Sequence, residues 1–274
     1  MTDLTVRKLL IDLATPFPAR WNGGDAFRSA FFNALSMSFP VGEQYFIDSV
    51  RAGLQTLPQA AQDRLAPEIQ GFVGQEATHR RIHGLFNGQL QALGLVNTLE
   101  QRAAKRMRDN AHYDVRIHVA ATAATEHLTA LFADWMLSHP EALQGAEPRL
   151  RTLWLWHSAE ESEHRSTAFD LYQAMGGDLK WRLRLFSFIT TMFLADVTRQ
   201  TVRNLWHDGS LFRWSTWRSA YQLLLSPTGM FRSNYAQWKA YKAADFHPRQ
   251  QDDSLSKAWL LAHADQFSAV RGAV

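Results

Sequence analysis

The feature that most constrains this chain is the octapeptide HSAEESEH at residues 157–164. An α-helix turns by about 100° per residue, so a helix here stacks His157, Glu161 and His164 within about 60° of one another over two turns. Imidazole and carboxylate groups that share a face in this way can bind the same metal ion. The octapeptide therefore predicts a helix with a metal-binding face.

A second Glu-x-x-His motif runs from Glu76 to His79, and each motif follows an upstream glutamate at a similar distance. Glu43 precedes Glu76 by 33 residues, and Glu126 precedes Glu161 by 35. Two neighbouring iron or manganese ions need several carboxylates and an imidazole each. A four-helix bundle supplies them by projecting one glutamate from each of two helices and Glu-x-x-His from the other two. The repeated pattern predicts an all-α bundle around a dinuclear site.

Composition excludes several other classes of protein. With 274 residues, 46% hydrophobic and 20% charged, the chain can bury a sizeable core. It contains no cysteine, which excludes disulfides, thiolate metal sites and cysteine nucleophiles. No P-loop, dinucleotide glycine motif or Gly-x-Ser-x-Gly elbow is present. The net charge of +3 comes without a compact basic run, so nucleic acid is not an expected partner.

The chain also lacks the sequence signals of export and membrane insertion. The N-terminal segment has no continuous apolar stretch, and no run of about 18 residues is free of charge. We therefore expect neither a signal peptide nor a spanning helix. A cytoplasmic location is the expectation.

Helix-breaking residues suggest how the chain is divided. We expect one domain made of a leader packed on the bundle, the dimetal bundle itself and a C-terminal helical extension, at residues 1–24, 25–177 and 178–274. Pro40 is expected to interrupt the first bundle helix. Glu43 would then lie in the first turn of a new helix, where the helix N-terminus offers a second reason for a carboxylate. The last bundle helix is predicted to run unbroken from Pro148 to the glycines at 176–177.

Three further residues are candidates for hydrogen bonds to the ligands: His83, Glu160 and Asp170. For Asp170 an ordinary polar role is an equal alternative. His83 lies one turn beyond the second motif on nearly the same face, and an ordinary buried core histidine is the alternative. Glu160 is about 60° from His157 on the side away from the ligand glutamate. Glu163 is about 120° from His157 around the helix and is expected at the surface.

The C-terminal third is rich in aromatic and basic residues. The chain has ten tryptophans and seventeen phenylalanines, and many of them follow residue 180. One interpretation is that these helices pack on the bundle and line an apolar substrate pocket. The other is that tryptophan, phenylalanine and arginine form a surface for peripheral contact with a membrane or a partner. A homodimer is a further expectation about partners.

Several segments resemble a bacterial family labelled predicted metal-dependent hydrolases, which is assigned to the ferritin-like helical class. The segments are FPVGEQYFIDSVR, FVGQEATHRRIH, ATEHLTA and WHSAEESEH, with FD at 169–170 and FHP at 246–248. The resemblance spans about residues 25–250. It implies a ferritin-like four-helix bundle with additional C-terminal helices and a metal site.

The form His-x-x-x-Glu-x-x-His at 157–164 also resembles the last metal-binding helix of the di-iron arylamine N-oxygenases, in which a third histidine joins the usual two. This resemblance does not extend beyond the ligands. Carried over to this sequence, it implies seven metal ligands: Glu43, Glu76, His79, Glu126, His157, Glu161 and His164.

The donor set favours redox metals, because four carboxylates and two or three imidazoles are typical of iron or manganese sites. The leading hypothesis is an oxidoreductase that uses two iron ions (or manganese, or one of each) and O2 to oxidise an apolar small molecule, with an external electron donor if it is an oxygenase. One side of the cluster would hold Glu43, Glu76 and His79. The other side would hold Glu126, His157, Glu161 and His164.

Two alternatives remain open. The first is a metal-dependent hydrolase, because two ions can activate water and polarise a carbonyl or phosphoryl group with the same ligands. The second is a non-enzymatic metal-binding or interaction bundle. No catalytic residue is predicted beyond the metal ligands.

Overall fold

A computed structural model describes residues 4–270, so the first three residues of the predicted leader and the last four of the predicted extension lie outside it. The described chain is all-α, as predicted, apart from two strands of three residues and short 3-10 turns. The strands are β1 (Arg7–Leu9) and β2 (Phe267–Ala269). The helices are α1 (Ala26–Gln55), α2 (Gln59–Ala92), α3 (Thr98–Asp109), α4 (Val115–Ser138), α5 (Pro148–His164), α6 (Thr167–Ala174), α7 (Leu179–His207), α8 (Trp214–Leu224), α9 (Met230–Ala240) and α10 (Ser254–Ala262).

Two buried apolar clusters position the site. The first cluster includes Phe32 and Trp154, and the second includes Phe72 and Val119. Helices α1, α2 and α4 each contribute to both clusters, and α5 leads from the first cluster to α6, which joins the second. Along each of these helices the predicted ligands lie at the boundary between residues of the first cluster and residues of the second. The structure therefore holds a polar layer between two apolar ones.

The same clusters give the direction of each helix. Helices α1 and α5 run from the first cluster towards the second, and α2 and α4 run from the second towards the first. The segment with α3 carries the chain back from the end of α2 to the start of α4. The four helices that carry the predicted ligands, α1, α2, α4 and α5, thus run up, down, down and up, with one crossover.

Helix α1 is continuous through Pro40, so the prediction of a break there is wrong. A proline inside a helix removes the N–H that would bond to the carbonyl four residues earlier, here Ser36. That carbonyl has another donor, because Asn87 Nδ2 of α2 lies 2.9 Å from Ser36 O. Glu43 consequently sits in the middle of a thirty-residue helix, and the helix N-terminus does not account for it.

The predicted single helix from Pro148 to residue 176 is also wrong, because α5 ends at His164 and α6 begins at Thr167. Arg165, at the break, is buried and bonds to Asp134 of α4 at 2.9 Å. Its Nε also donates to the carbonyl of Ser162. These bonds stabilise the turn, so the helical angles of α5 do not continue into α6.

The two ends of the described chain meet on the bundle. β1 pairs antiparallel with β2, with Lys8 opposite Ser268. The segment before β1 passes close to α2, where a Cβ added at Gly71 would lie 2.6 Å from Leu4 Cβ. The division into leader, bundle and extension stays a prediction.

Helix α7 packs along α1 and α4, and the last three helices contact α1, α4, α5 and one another. Among residues 4–270, no helix combines the length and apolarity needed to traverse a bilayer.

Candidate metal centre

The seven predicted ligands converge in the polar layer, and none of their residues is more than 5% exposed. Helix α1 supplies one of them, α2 two, α4 one and α5 three. They are Glu43, Glu76, His79, Glu126, His157, Glu161 and His164.

Glu161 lies at the centre of this cluster. Its Oε1 is 2.8 Å from Nε2 of His157, 3.4 Å from Nδ1 of His79 and 3.8 Å from Nε2 of His164. Glu76 Oε1 lies 3.2 Å from Nε2 of His164. Metal–ligand bonds of about 2.0–2.2 Å put two donors of one ion roughly 3–4 Å apart. The observed separations therefore suit donors that share ions.

Two sets of donor atoms are compact enough to hold an ion, because within each set the atoms lie within 4.8 Å of one another. The first set is Glu76, His79, Glu161 and His164, and the second is Glu43, His79 and His157. The sequence-based division placed His157 with His164. The structure instead places His157 beside Glu43 and His79, with the rings of His79 and His157 stacked 4.2 Å apart, because α2 is antiparallel to α5.

Glu126 reaches the cluster through one contact. Its Oε2 lies 2.9 Å from Nδ1 of His164. It belongs to neither compact set, so its approach to the other donors is looser than the sequence pattern suggests.

The ligand atoms themselves test whether a metal fits. Among the described residues, eight buried donor atoms of the cluster have no hydrogen-bond partner: both carboxylate oxygens of Glu43 and of Glu76, Oε1 of Glu126, Oε2 of Glu161, Nδ1 of His79 and Nε2 of His164. Leaving one buried polar atom without a partner costs about 1–3 kcal/mol. A cation would provide the missing partner for all of them. The donor set of oxygen and nitrogen fits divalent ions.

The ring of His79 is held from outside the cluster by Glu160. Its Nε2 lies 2.9 Å from Glu160 Oε2, and Glu160 also accepts from Arg7 at 3.0 Å. With Nε2–H donating to this carboxylate, Nδ1 keeps its lone pair towards the other ligands. The predicted role of Glu160 as a partner of a ligand agrees with this geometry. Glu163 differs from its prediction: it is partly buried and bonds to Arg7 and Gln75.

A chain of hydrogen bonds fixes the proton on His157 in the same way. Asn87 donates to Ser36 O, which leaves Asn87 Oδ1 to accept from Ser36 Oγ at 2.8 Å. Ser36 Oγ then accepts from His83 Nδ1 at 2.8 Å, and His83 Nε2 accepts from His157 Nδ1 at 2.6 Å. The lone pair of His157 Nε2 is therefore left facing the cluster. Burial lowers the pKa of His157 to about 4 and that of His83 well below its ordinary value, which keeps both rings neutral.

Asp170 does not contact a ligand imidazole, so its predicted role is wrong. It bonds instead to His247 at 2.7 Å and to Arg249. The break between α5 and α6 explains this, because the helical angles that relate Asp170 to the ligands do not continue across it.

Burial disfavours negative charge at three of the glutamates. It raises the pKa of Glu43 and Glu76 well above the ordinary carboxyl value, and that of Glu126 to about 7. Neighbouring carboxylates add to the effect. Without a cation, these positions hold protons under conditions in which an exposed glutamate is ionised.

Glu161 behaves in the opposite way. Burial favours its neutral form, but His164 and His157 outweigh that effect and lower its pKa well below the ordinary value. Burial likewise disfavours charge on His79, yet the hydrogen bond to Glu160 and the carboxylate of Glu161, 3.4 Å from Nδ1, raise the pKa of His79 to about 10. Without a cation, the Glu161 carboxylate and a protonated His79 therefore stabilise each other at the centre of the cluster.

A cavity of about 450 Å³ reaches the cluster between α1, α3, α4 and α7. Glu43 lines it, and apolar residues such as Phe46, Phe188 and Met192 form much of its wall. A second cavity of about 340 Å³ lies between α1, α4, α7 and α9 and shares Phe39, Thr129 and Phe193 with the first. An apolar cavity with a few polar groups is typical of small-molecule sites.

Fold and site together define an all-α protein with a buried glutamate and histidine cluster that can hold metal. The family model described as "Predicted metal-dependent hydrolase" matches residues 5–252, and the chain belongs to this family. Neither the search of curated proteins nor that of solved structures gave a match.

The family match corrects the leading functional hypothesis. An O2-dependent oxidoreductase is wrong, and the hydrolytic alternative agrees with the family description. The electron donor and O2 belonged only to the oxidative hypothesis. The resemblance to arylamine N-oxygenases is not confirmed.

Sequence reasoning missed four residues that support the ligands. Arg7, Ser36 and Asn87 lie outside both motifs. Gln75 directly precedes the second motif and donates to Glu163. For Ser36, Asn87 and Gln75 the only local signal was a polar residue on a mostly apolar helix face, and Arg7, in β1, gave none. That signal does not identify a partner in a distant segment.

Proposed function

We propose that this protein is a metal-dependent hydrolase in which two divalent ions, bound by the seven glutamate and histidine ligands, act on an ester or amide of an apolar small molecule. The observation that carries the proposal is the set of buried carboxylate and imidazole atoms without hydrogen-bond partners, in a chain of this family. Burying these atoms without partners would cost free energy, and a bound ion would remove that cost.

The compact donor sets suggest how the ions are shared. One ion would be held by Glu43, His79 and His157, and the other by Glu76, Glu161 and His164 with Glu126 beside it. Glu161 is 2.8 Å from His157 and lies within reach of both sets. It would therefore help to hold either ion. When bound, divalent ions lower the pKa of water and polarise a carbonyl or phosphoryl oxygen.

The residues around the ligands prepare the site for this chemistry. Glu160 keeps a proton on the outer nitrogen of His79, and His83 does the same for His157, so both rings present lone pairs inward. The clusters on either side exclude bulk water, which strengthens electrostatic interactions within the layer. The ligands are thus oriented before a substrate enters.

The cavity supports an apolar substrate. Its wall is mostly aromatic and aliphatic, and Glu43 is the ligand that borders it. Small residues of α4, Ala121 and Thr125, also line the cavity and leave room next to the cluster. The scissile bond would lie near Glu43, and the apolar group of the substrate would extend along the part of the cavity that α7 lines.

The order of the helices supports the ferritin-like assignment. An up, down, down, up arrangement with a single crossover is the connectivity of ferritin-like bundles. A glutamate from each of two helices and Glu-x-x-His from the other two is their ligand pattern.

The test is hydrolysis by ion-free protein that is resupplied, under argon, with manganese, ferrous iron or zinc. A panel of p-nitrophenyl esters, amides and phosphoesters with acyl groups of increasing length reports the reaction class. We expect ester or amide hydrolysis that requires the ion and is lost in Glu161→Gln, with Glu141→Gln, an exposed carboxylate, as the matched control. Protein that binds ions but hydrolyses none of the panel would contradict the proposal.

A further inference from the structure

The positive charge of the chain is concentrated in one region. Residues 178–250 contain eleven Lys and Arg against four Asp and Glu, a net charge of +7, whereas residues 1–177 carry a net charge of −3. The overall value of +3 conceals this separation. The helices from α7 to α9 therefore form a basic region on a mildly acidic body.

Three of the four acids in that region are engaged in local structure. Asp178 caps α7, since its Oδ1 accepts from the N–H of Trp181 at 2.9 Å. Asp196 is buried and bonds to Arg102 of α3 at 2.9 Å. Asp208 bonds to Arg20 at 2.8 Å. The basic side chains on the outside of α7 face solvent, including Arg199, which is exposed although its Nη1 lies 3.9 Å from Asp196 Oδ1.

Aromatic and basic residues are interspersed along the exposed side of α7. At 100° per residue they fall within an arc of about 100°, over a length of about 38 Å. Trp181 is 43% exposed, Phe188 46% and Trp206 67%. The α7 face is defined by Trp181, Arg184, Phe188, Arg199, Arg203 and Trp206.

The segment after α7 extends this face. The ring of Trp206 lies 6.0 Å from that of Phe212, which is 85% exposed, and Trp214 is 81% exposed. Arg213 lies between the last two in sequence and is exposed. Exposed aromatic side chains of this size, grouped with arginine, mark an interaction surface.

We infer that the α7 face, with Phe212 and Trp214, docks on the surface of an anionic lipid bilayer. Tryptophan is favoured at the level of the lipid headgroups, and each basic residue near an anionic surface contributes about 1 kcal/mol. A helix with arginine beside tryptophan and phenylalanine is suited to lie in the plane of the interface. The described helices rest on the membrane and do not cross it.

Charge argues against a second copy of the chain, and the exposed apolar side chains argue against nucleic acid. A second copy meeting the same face would bring two positive surfaces together, which is unfavourable. Nucleic acid suits the arginines, but it does not account for large apolar side chains such as Phe212 and Trp214, which gain most from the apolar part of a bilayer.

The cavity supplies a reason for the location of this face. Trp181 and Phe188 are part of the α7 face and also line the cavity that reaches Glu43. An apolar molecule dissolved in the bilayer would therefore meet the cavity wall at the docked surface. Docking itself needs neither a bound ion nor turnover, so it holds or fails independently of the proposed hydrolysis.

The test is sedimentation of the full chain with vesicles of phosphatidylcholine alone and with vesicles of equal parts phosphatidylcholine and phosphatidylglycerol, with chelator present. We expect binding to the anionic vesicles only, weakened by added salt. The double variant Arg199→Glu with Arg203→Glu should lower the partition coefficient by about thirtyfold or more. Trp206→Ser should also lower it on the anionic vesicles.

The matched control is Arg51→Glu with Arg64→Glu, which changes the net charge equally at exposed positions outside the face. It should bind like the unmodified chain. Absence of binding by the unmodified chain, or equal losses in both double variants, would overturn the inference. So would binding of a DNA or RNA oligonucleotide through the same arginines, or a dimer that the Trp206 variant dissociates.

Discussion

The two Glu-x-x-His motifs are alike in sequence and unlike in their surroundings. The outer nitrogen of His79 is held by Glu160, which Arg7 in turn contacts. Within residues 4–270 His164 has no such support: its Nδ1 lies 2.9 Å from Glu126 and its Nε2 3.2 Å from Glu76, so both ring nitrogens face predicted ligands. A repeated motif therefore does not make two equal sites.

The third histidine adds to this inequality. His157 stacks on His79 and is tied by His83 to Ser36. We call Glu43, His79 and His157 the His79 half, and Glu76, Glu126, Glu161 and His164 the His164 half. The first is rich in imidazole and braced by hydrogen bonds, and the second is rich in carboxylate. Residues outside the motifs therefore determine which hydrogen bonds orient the ligands of each half.

The largest effect is expected where the halves meet. Glu161→Ala removes the carboxylate within reach of both sets of donors, so we expect loss of both ions. Calorimetric titration of ion-free protein, with the ion content measured after dialysis, checks this result. Retention of one ion at ordinary affinity would show that the halves are independent.

The next effect tests the bracing of the His79 half. Glu160→Gln weakens the acceptor on Nε2 of His79 and is expected to reduce ion affinity about 10- to 100-fold at the ion that His79 holds. Glu163→Gln is the matched control, because Glu163 also contacts Arg7 but not His79. Equal losses in the two variants would mean that Arg7, and not the histidine contact, is responsible.

Proton release distinguishes the carboxylates of the two halves from exposed ones. Because burial raises the pKa of Glu43 and Glu76, ion binding must displace their protons, and affinity should rise with pH. A pH indicator in weak buffer reports the release, which should fall in Glu76→Gln. For the ion-free fold the sign is opposite: a raised carboxyl pKa gives stability at low pH that is lost as pH rises through it. Ion binding without proton release would contradict the assignment.

The smallest expected effect concerns the support behind His83. Asn87→Leu leaves Ser36 O without its donor and should cost about 1–3 kcal/mol in the free energy of unfolding. In a Pro40→Ala background the backbone N–H returns, so the cost should fall by about 1 kcal/mol. Urea unfolding of the four proteins measures this coupling. An unchanged cost would show that Asn87 does not substitute for the missing helical bond.

The sequence predicts the cluster because its information is local. Spacing of three and four residues places Glu76 with His79, and Glu161 with His164, whatever the rest of the chain does. The all-α class follows from the same periodicity. What spacing does not give is the pairing across helices, which is why His157 was assigned to the wrong half.

The errors arose where a distant residue decides the local structure. Pro40 does not break α1 because Asn87, some fifty positions away, bonds to the carbonyl that it leaves free. The turn after His164 depends on Arg165 meeting Asp134 of another helix. Arg7 reaches Glu160 across 153 positions. No pattern within a single segment indicates such contacts.

The most direct measurement is a titration of ion-free protein with a divalent ion, in which hydrolysis of a p-nitrophenyl ester and ion binding are followed together. The account predicts that the rate rises as the two halves fill and levels off at two ions per chain. A rate that does not depend on the ion, or a chain that binds none, would contradict it.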